Sequence, residues 1–96
     1  MAKVRLMKRT RGVYEFYCPG CKCMHQVWTH KDDGVETWGF NGDVEKPTFT
    51  PSIKVLSYVG KSVSCVCHSQ ITDGKIFFYN DSTHELSSQE ELLTDL

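Results

Sequence analysis

The sequence predicts a mostly β fold stapled by a metal ion, and three observations carry that expectation. Apolar residues alternate with polar ones in short runs rich in Val, Ile, Tyr, Phe and Trp, the pattern of half-buried strands. Turn-forming pairs punctuate these runs at Pro19-Gly20, Asp33-Gly34, Asn41-Gly42 and Asp73-Gly74. Five cysteines stand in a chain of only 96 residues, which buries a modest core and gains much from a bound ion. Residues 1–96 are therefore expected to form a single zinc-binding β domain built from hairpins.

Taken in order, the strand runs are Val4 to Met7, Val13 to Tyr17, Gln26 to Thr29, Thr37 to Phe40, Ile53 to Val59, Val63 to Ile71 and Lys75 to Asn80. The sharpest local signal is Asp73-Gly74, because Asp-Gly between two apolar runs favours a two-residue type I′ turn. That turn sets a register in which Thr72 faces Lys75, Ile71 faces Ile76, Ser69 faces Phe78 and His68 faces Tyr79. Strand alternation then puts Cys65, Cys67, Ser69, Ile71, Ile76, Phe78 and Asn80 on one face, joined by Ser82 and His84 if the strand continues. His68, Gln70, Phe77, Tyr79 and Asp81 take the other. At the tail, Ser87 and Glu90 have capping-box spacing ahead of Leu92, Leu93 and Leu96, which predicts a short C-terminal helix.

Charge narrows the partners. A net charge of −1 gives no general attraction to nucleic acid, and no run of about 18 apolar residues is available to cross a membrane. Without the apolar core of a signal peptide near its start, the chain is expected to be soluble and cytoplasmic. Five bases precede the first acid, Glu15, and five acids follow the last base, Lys75, so the two ends are expected to attract each other.

An odd number of cysteines in an intracellular chain argues for metal or reactive chemistry over a disulfide framework. Cys18-Pro19-Gly20-Cys21 is a C-x₂-C knuckle, whose spacing lets two thiolates converge on one tetrahedral ion. The preferred set is zinc held by Cys18, Cys21, Cys67 and His84, since hairpin parity turns Cys67 and His84 to the same side. Cys65 or His25 is the replacement for one of these, His68 enters only if the register is wrong, and Cys23 is a bystander. Four protein ligands would make the site structural, because a catalytic zinc keeps a position open for water.

The opposite face of the same hairpin brings His68 diagonally beside Asp81, a pairing in which a carboxylate orients a base. A hydroxyl for that base is offered by Ser52, leaving the loop Pro47-Thr48-Phe49-Thr50-Pro51, with Ser69 as the competitor. Ser69 adjoins His68 in sequence, yet neighbours on a strand point to opposite faces unless a bulge at residues 67 to 69 intervenes. Each of these residues also has an ordinary role, as a turn hydroxyl, a surface histidine or a turn-capping carboxylate.

The ordered series CPGC at residues 18 to 21, His25, FNG at 40 to 42, PTFTPS at 47 to 52, CHS at 67 to 69, DG at 73 and 74 and DSTH at 81 to 84 resembles the small phage and prophage proteins catalogued as domain of unknown function 6527. These are sometimes labelled ammonia monooxygenase, a membrane copper enzyme for which this chain has no equipment. The resemblance implies a serine peptidase that removes a bacterial ubiquitin-like modifier from its protein targets. A zinc-binding adaptor or inhibitor of a host protein is the alternative, and hydrolysis by an open zinc site a third. Many of these relatives carry Cys where this chain has Ser82, and they tend to end in a GQTV-like strand where this one reads SSQEELLTDL.

Overall fold

The computed structural model describes residues 2–29 and 37–96, so the Asp33-Gly34 turn lies outside the described residues. Among the described residues there are nine strands and no helix. They are β1 (Val4–Leu6), β2 (Val13–Cys18), β3 (Cys23–Trp28), β4 (Gly39–Phe40), β5 (Phe49–Thr50), β6 (Ile53–Val59), β7 (Ser62–Thr72), β8 (Lys75–Phe78) and β9 (Glu90–Leu92). Strands β1-β2-β3 form one antiparallel sheet, β4-β5 a two-stranded ribbon, and β6-β7-β8-β9 a second antiparallel sheet. No helix long and apolar enough to cross a membrane occurs among the described residues.

Period-two alternation supplies the core. Val4, Phe16, Cys18 and Val27 project from the first sheet, and Ile53, Cys67, Ile71, Ile76 and Phe78 from the second, with Phe49 of the ribbon and Leu93 of the tail completing one cluster. Fully burying each of the large apolar side chains contributes about 2 kcal/mol, which is how nine short strands offset the entropy of ordering them.

The Asp73-Gly74 hairpin has the expected register: Thr72 pairs with Lys75, Ile71 with Ile76 and Ser69 with Phe78. Both turn residues take positive φ, 49° at Asp73 and 78° at Gly74, as a type I′ turn requires. Beyond the end of β8 the pairing survives as one bond, from the Tyr79 amide to the His68 carbonyl at 2.8 Å. The ladder between β6 and β7 shifts register at Ser57/Tyr58, well away from residues 67 to 69, so strand alternation is undisturbed around Cys67 and His68. Lys3 Nζ meets Asp95 Oδ1 at 2.7 Å, and the Leu96 amide donates to the Ala2 carbonyl, so the oppositely charged ends do meet.

The tail is a correction to the sequence expectation. Glu90–Leu92 is a strand, paired with β8 through Lys75/Leu92, Ile76/Glu91 and Phe77/Glu90, and not a helix. An isolated helix of some ten residues is marginal in water, whereas the outer edge of β8 offers backbone groups to pair with. Ser88 turns at φ 66°, its amide donates to the Phe78 carbonyl and the Phe78 amide donates to Gln89, which delivers Leu93 alone of the three leucines into the core. The other departures are small: β3 begins at Cys23, ahead of the expected Gln26, β5 falls inside the segment read as a loop, and β8 stops at Phe78, short of the expected Asn80, which is exposed.

Candidate active site and metal centre

Alternation along β7 separates two kinds of chemistry by one residue. Cys67 faces the core, His68 faces outward, and Ser69 returns inward to a position only 1% exposed. On the inner side, Cys67 Sγ lies 3.7 Å from Cys18 Sγ at the end of β2, where the two larger sheets meet. The CPGC segment then curls back on itself, the Lys22 amide donating to the Cys18 carbonyl at 2.8 Å and the Cys21 amide to Cys18 Sγ at 3.3 Å. His84 closes the group, so that one donor atom each from Cys18, Cys21, Cys67 and His84 lies within 4.8 Å of all the others.

This donor set can hold a metal ion, and a further observation fits that use. The His84 ring accepts the Leu86 amide at Nδ1 and stands edge-on to Phe78, while its Nε2 is buried without a hydrogen-bond partner. A buried ring nitrogen left in this way costs about 1–3 kcal/mol unless something binds it. The Cys67 hydrogen bond pulls the Cys18 thiol down to about 4 against the opposing effect of burial, helped by His25 and the Cys21 amide. The same contact drives Cys67 upward, and burial pushes Cys21 up to about 12. His25 therefore sits beside Cys18 without belonging to the four-donor group, and its own buried Nε2 is unpartnered. Cys65 lies outside the group too, accepting from Thr83 Oγ1 at 3.4 Å, and Cys23 is exposed.

Gly20 is required here by space. A Cβ added to it would stand 2.3 Å from Cε1 and 2.4 Å from Nε2 of His84. Gly20→Ala is accordingly expected to displace the His84 ring and weaken metal binding by on the order of 10-fold or more, read by competition with a chromogenic chelator.

On the outer side, Ser52 stands immediately before β6 with its Oγ 3.1 Å from His68 Nε2. His68 Nδ1 lies 3.0 and 3.1 Å from the two carboxylate oxygens of Asp81. The register of β6 on β7 brings Lys54 opposite His68, and its Nζ is 3.7 Å from Asp81 Oδ2. Partial desolvation pushes the Asp81 carboxyl up, but the hydrogen bond and charge of His68, with Lys54 beyond, outweigh it and hold the group below the usual carboxylate range. Tyr79 covers the imidazole at a centroid distance of 4.5 Å, and the Trp38 indole donates to the Ser52 carbonyl at 3.2 Å.

All four predicted metal ligands are thus brought together, as are Ser52, His68 and Asp81, while Ser69 is held on the core face. The sequence reading gave no supporting contact to Lys54, Trp38, Tyr79 or Ser82, although it set Tyr79 opposite His68. Lys54 and Tyr79 are legible once both hairpin registers are known; the Trp38 contact joins residues whose proximity no local pattern signals.

A hydroxyl, an imidazole and a carboxylate in one hydrogen-bonded line define the arrangement of serine hydrolases, set here on a β scaffold beside a Cys₃His cluster. Comparison with protein families gives the particular group. Residues 2–79 match the model of the bacterial ubiquitination-like system serine protease, BubE, and the chain belongs to that family. The matched segment includes Ser52, His68 and three of the clustered cysteines, and it stops two residues before Asp81. No curated protein and no solved structure matches the chain.

Proposed function

We propose that the protein is a deconjugating peptidase that cleaves a ubiquitin-like modifier from its protein targets, with Ser52 as nucleophile, His68 as general base and Asp81 as the group that orients it. The observation that carries this reading is the unbroken contact line Ser52, His68, Asp81 in a chain whose family consists of serine proteases. For His68 Nε2 to accept the Ser52 proton, Nδ1 must carry a hydrogen directed at Asp81, and the two carboxylate contacts favour that tautomer.

Ser52 Oγ attacks the carbonyl carbon of the scissile amide as its proton passes to His68 Nε2. The C–N bond then breaks, the amine leaves with that proton, and the modifier's carbonyl is held as an ester of Ser52. Water, deprotonated by His68, attacks the ester and releases the modifier with a free carboxylate while Ser52 regains its proton. Asp81 remains ionised throughout and stabilises the imidazolium formed in each half.

The ion proposed for Cys18, Cys21, Cys67 and His84 is zinc. Two sulfurs at about 2.3 Å from a tetrahedral zinc lie roughly 3.8 Å apart, close to the 3.7 Å between Cys18 and Cys67. With four protein donors the ion would supply folding energy and hold β2, β7 and the 81–84 segment together. The free thiols suit a reducing compartment, which supports action in the cytoplasm of a bacterial cell, including one carrying a phage or prophage.

A gel assay tests the reading. Purified protein is expected to release free modifier from a modifier conjugate, and a fluorophosphonate that labels Ser52 is expected to stop it. Cleavage that continues after complete labelling would remove Ser52 from the reaction. Neither cleavage nor labelling would leave the adaptor reading in its place.

A further inference from the structure

Asp81 reaches His68 from a segment that no ladder holds: β8 ends at Phe78, and Asn80 and Asp81 are exposed. What fastens this segment is Ser82. Its buried Oγ accepts the His68 amide at 3.0 Å and donates to the His68 carbonyl at 3.0 Å, so one hydroxyl grips both backbone groups of the proposed base. Ser82 N in turn donates to the Tyr79 carbonyl at 3.1 Å, closing the loop that carries Asp81. Thr83 makes a similar grip two residues back along β7, its Oγ1 accepting the Val66 amide at 2.9 Å and its amide donating to the Val66 carbonyl at 2.9 Å.

We propose that Ser82 is a positioning residue for catalysis, whose hydroxyl sets the distance between the His68 imidazole and the Asp81 carboxylate. The inference rests on the reading of Ser52, His68 and Asp81 as the catalytic group. The physical case is one of leverage. Ser82 is bonded covalently to the residue that carries the acid and by two hydrogen bonds to the residue that carries the base, so the acid and base cannot separate without breaking that grip. Removing it leaves the His68 amide without its Ser82 partner and frees the 80–82 turn to move, and a displacement of about 1 Å in a catalytic pair costs on the order of 100-fold in rate.

The test uses the metal-loaded full chain with Ser82→Ala, Ser82→Thr and Thr83→Val. Ser82→Ala is expected to lower kcat for conjugate cleavage by on the order of 100-fold with KM within about twofold, and Ser82→Thr to restore most of it. Proton NMR supplies a readout that needs no substrate: the downfield Nδ1 proton shared by His68 and Asp81 is expected in the parent and shifted or lost in Ser82→Ala. Thr83→Val, which loosens the neighbouring grip on Val66, is expected to lower the melting temperature while keeping the resonance and kcat. Unchanged kcat and resonance in a metal-loaded Ser82→Ala would overturn the proposal, as would an equal loss of both in Thr83→Val. Should the parent itself show neither cleavage nor reaction with a fluorophosphonate, the Ser52 reading fails; the resonance still decides whether Ser82 holds His68 on Asp81.

Discussion

Ser52→Ala is expected to lower cleavage of modifier conjugates by roughly 10⁴-fold or more, leaving metal content and melting temperature as they are. Removing one member of a nucleophile–base–acid group removes the covalent route, and what survives comes from substrate binding and polarisation of the carbonyl alone. Little stability should go with it: the hydroxyl is half-buried, and its side-chain contact is with His68 Nε2, which can bond to water instead. Ser69→Ala should behave in the opposite way. That hydroxyl is 1% exposed on the core face of β7, so the change alters packing and stability while the reaction proceeds. The decisive measurement is kcat/KM for both variants beside their thermal melts. A slow Ser69→Ala with an active Ser52→Ala would reverse the assignment of nucleophile.

Stripping the metal with a chelator, or replacing Cys18 or Cys67 with Ser, is expected to unfold the chain or lower its melting temperature by tens of degrees. Two donors come from the knuckle at the end of β2, one from the middle of β7 and one from the segment after β8, so the ion would tie together three parts of the chain distant in sequence. A structural ion contributes several kcal/mol or more to folding, and in a domain of this size each kcal/mol corresponds to about 4–8 °C. Without it, the buried group is also left with an unpartnered His84 Nε2. Calorimetry with and without chelator, with the zinc measured in the same samples, checks this. An unchanged transition in protein shown to be metal-free would show that the cluster is only a set of buried thiols.

Much of this site was legible in the chain because it is built on a hairpin. Asp73-Gly74 determines the register of β7 on β8 through local backbone sterics, and strand alternation then assigns Cys67 and His68 to opposite faces with no knowledge of the rest of the molecule. The CPGC knuckle is local in the same sense, as its spacing and Gly20 prepare two donors before any partner arrives. The tail shows the limit. Ser87 and Glu90 carry a helix-capping pattern, yet whether residues 90 to 92 coil or extend was decided by the open edge of β8, which belongs to a distant part of the chain.

The sequence by itself therefore determined the β class, the opposite parity of Cys67 and His68 and the residue types on each face, because these follow from interactions within a few residues or across one tight turn. Only the tertiary structure decided which serine meets His68, which of the spare donors stay outside the metal group, and that Ser82 grips the backbone of the base. Those outcomes depend on how β2, β6 and the segment after β8 are brought to β7. Contacts of that kind are set by the packing of the whole core, and no local pattern encodes them.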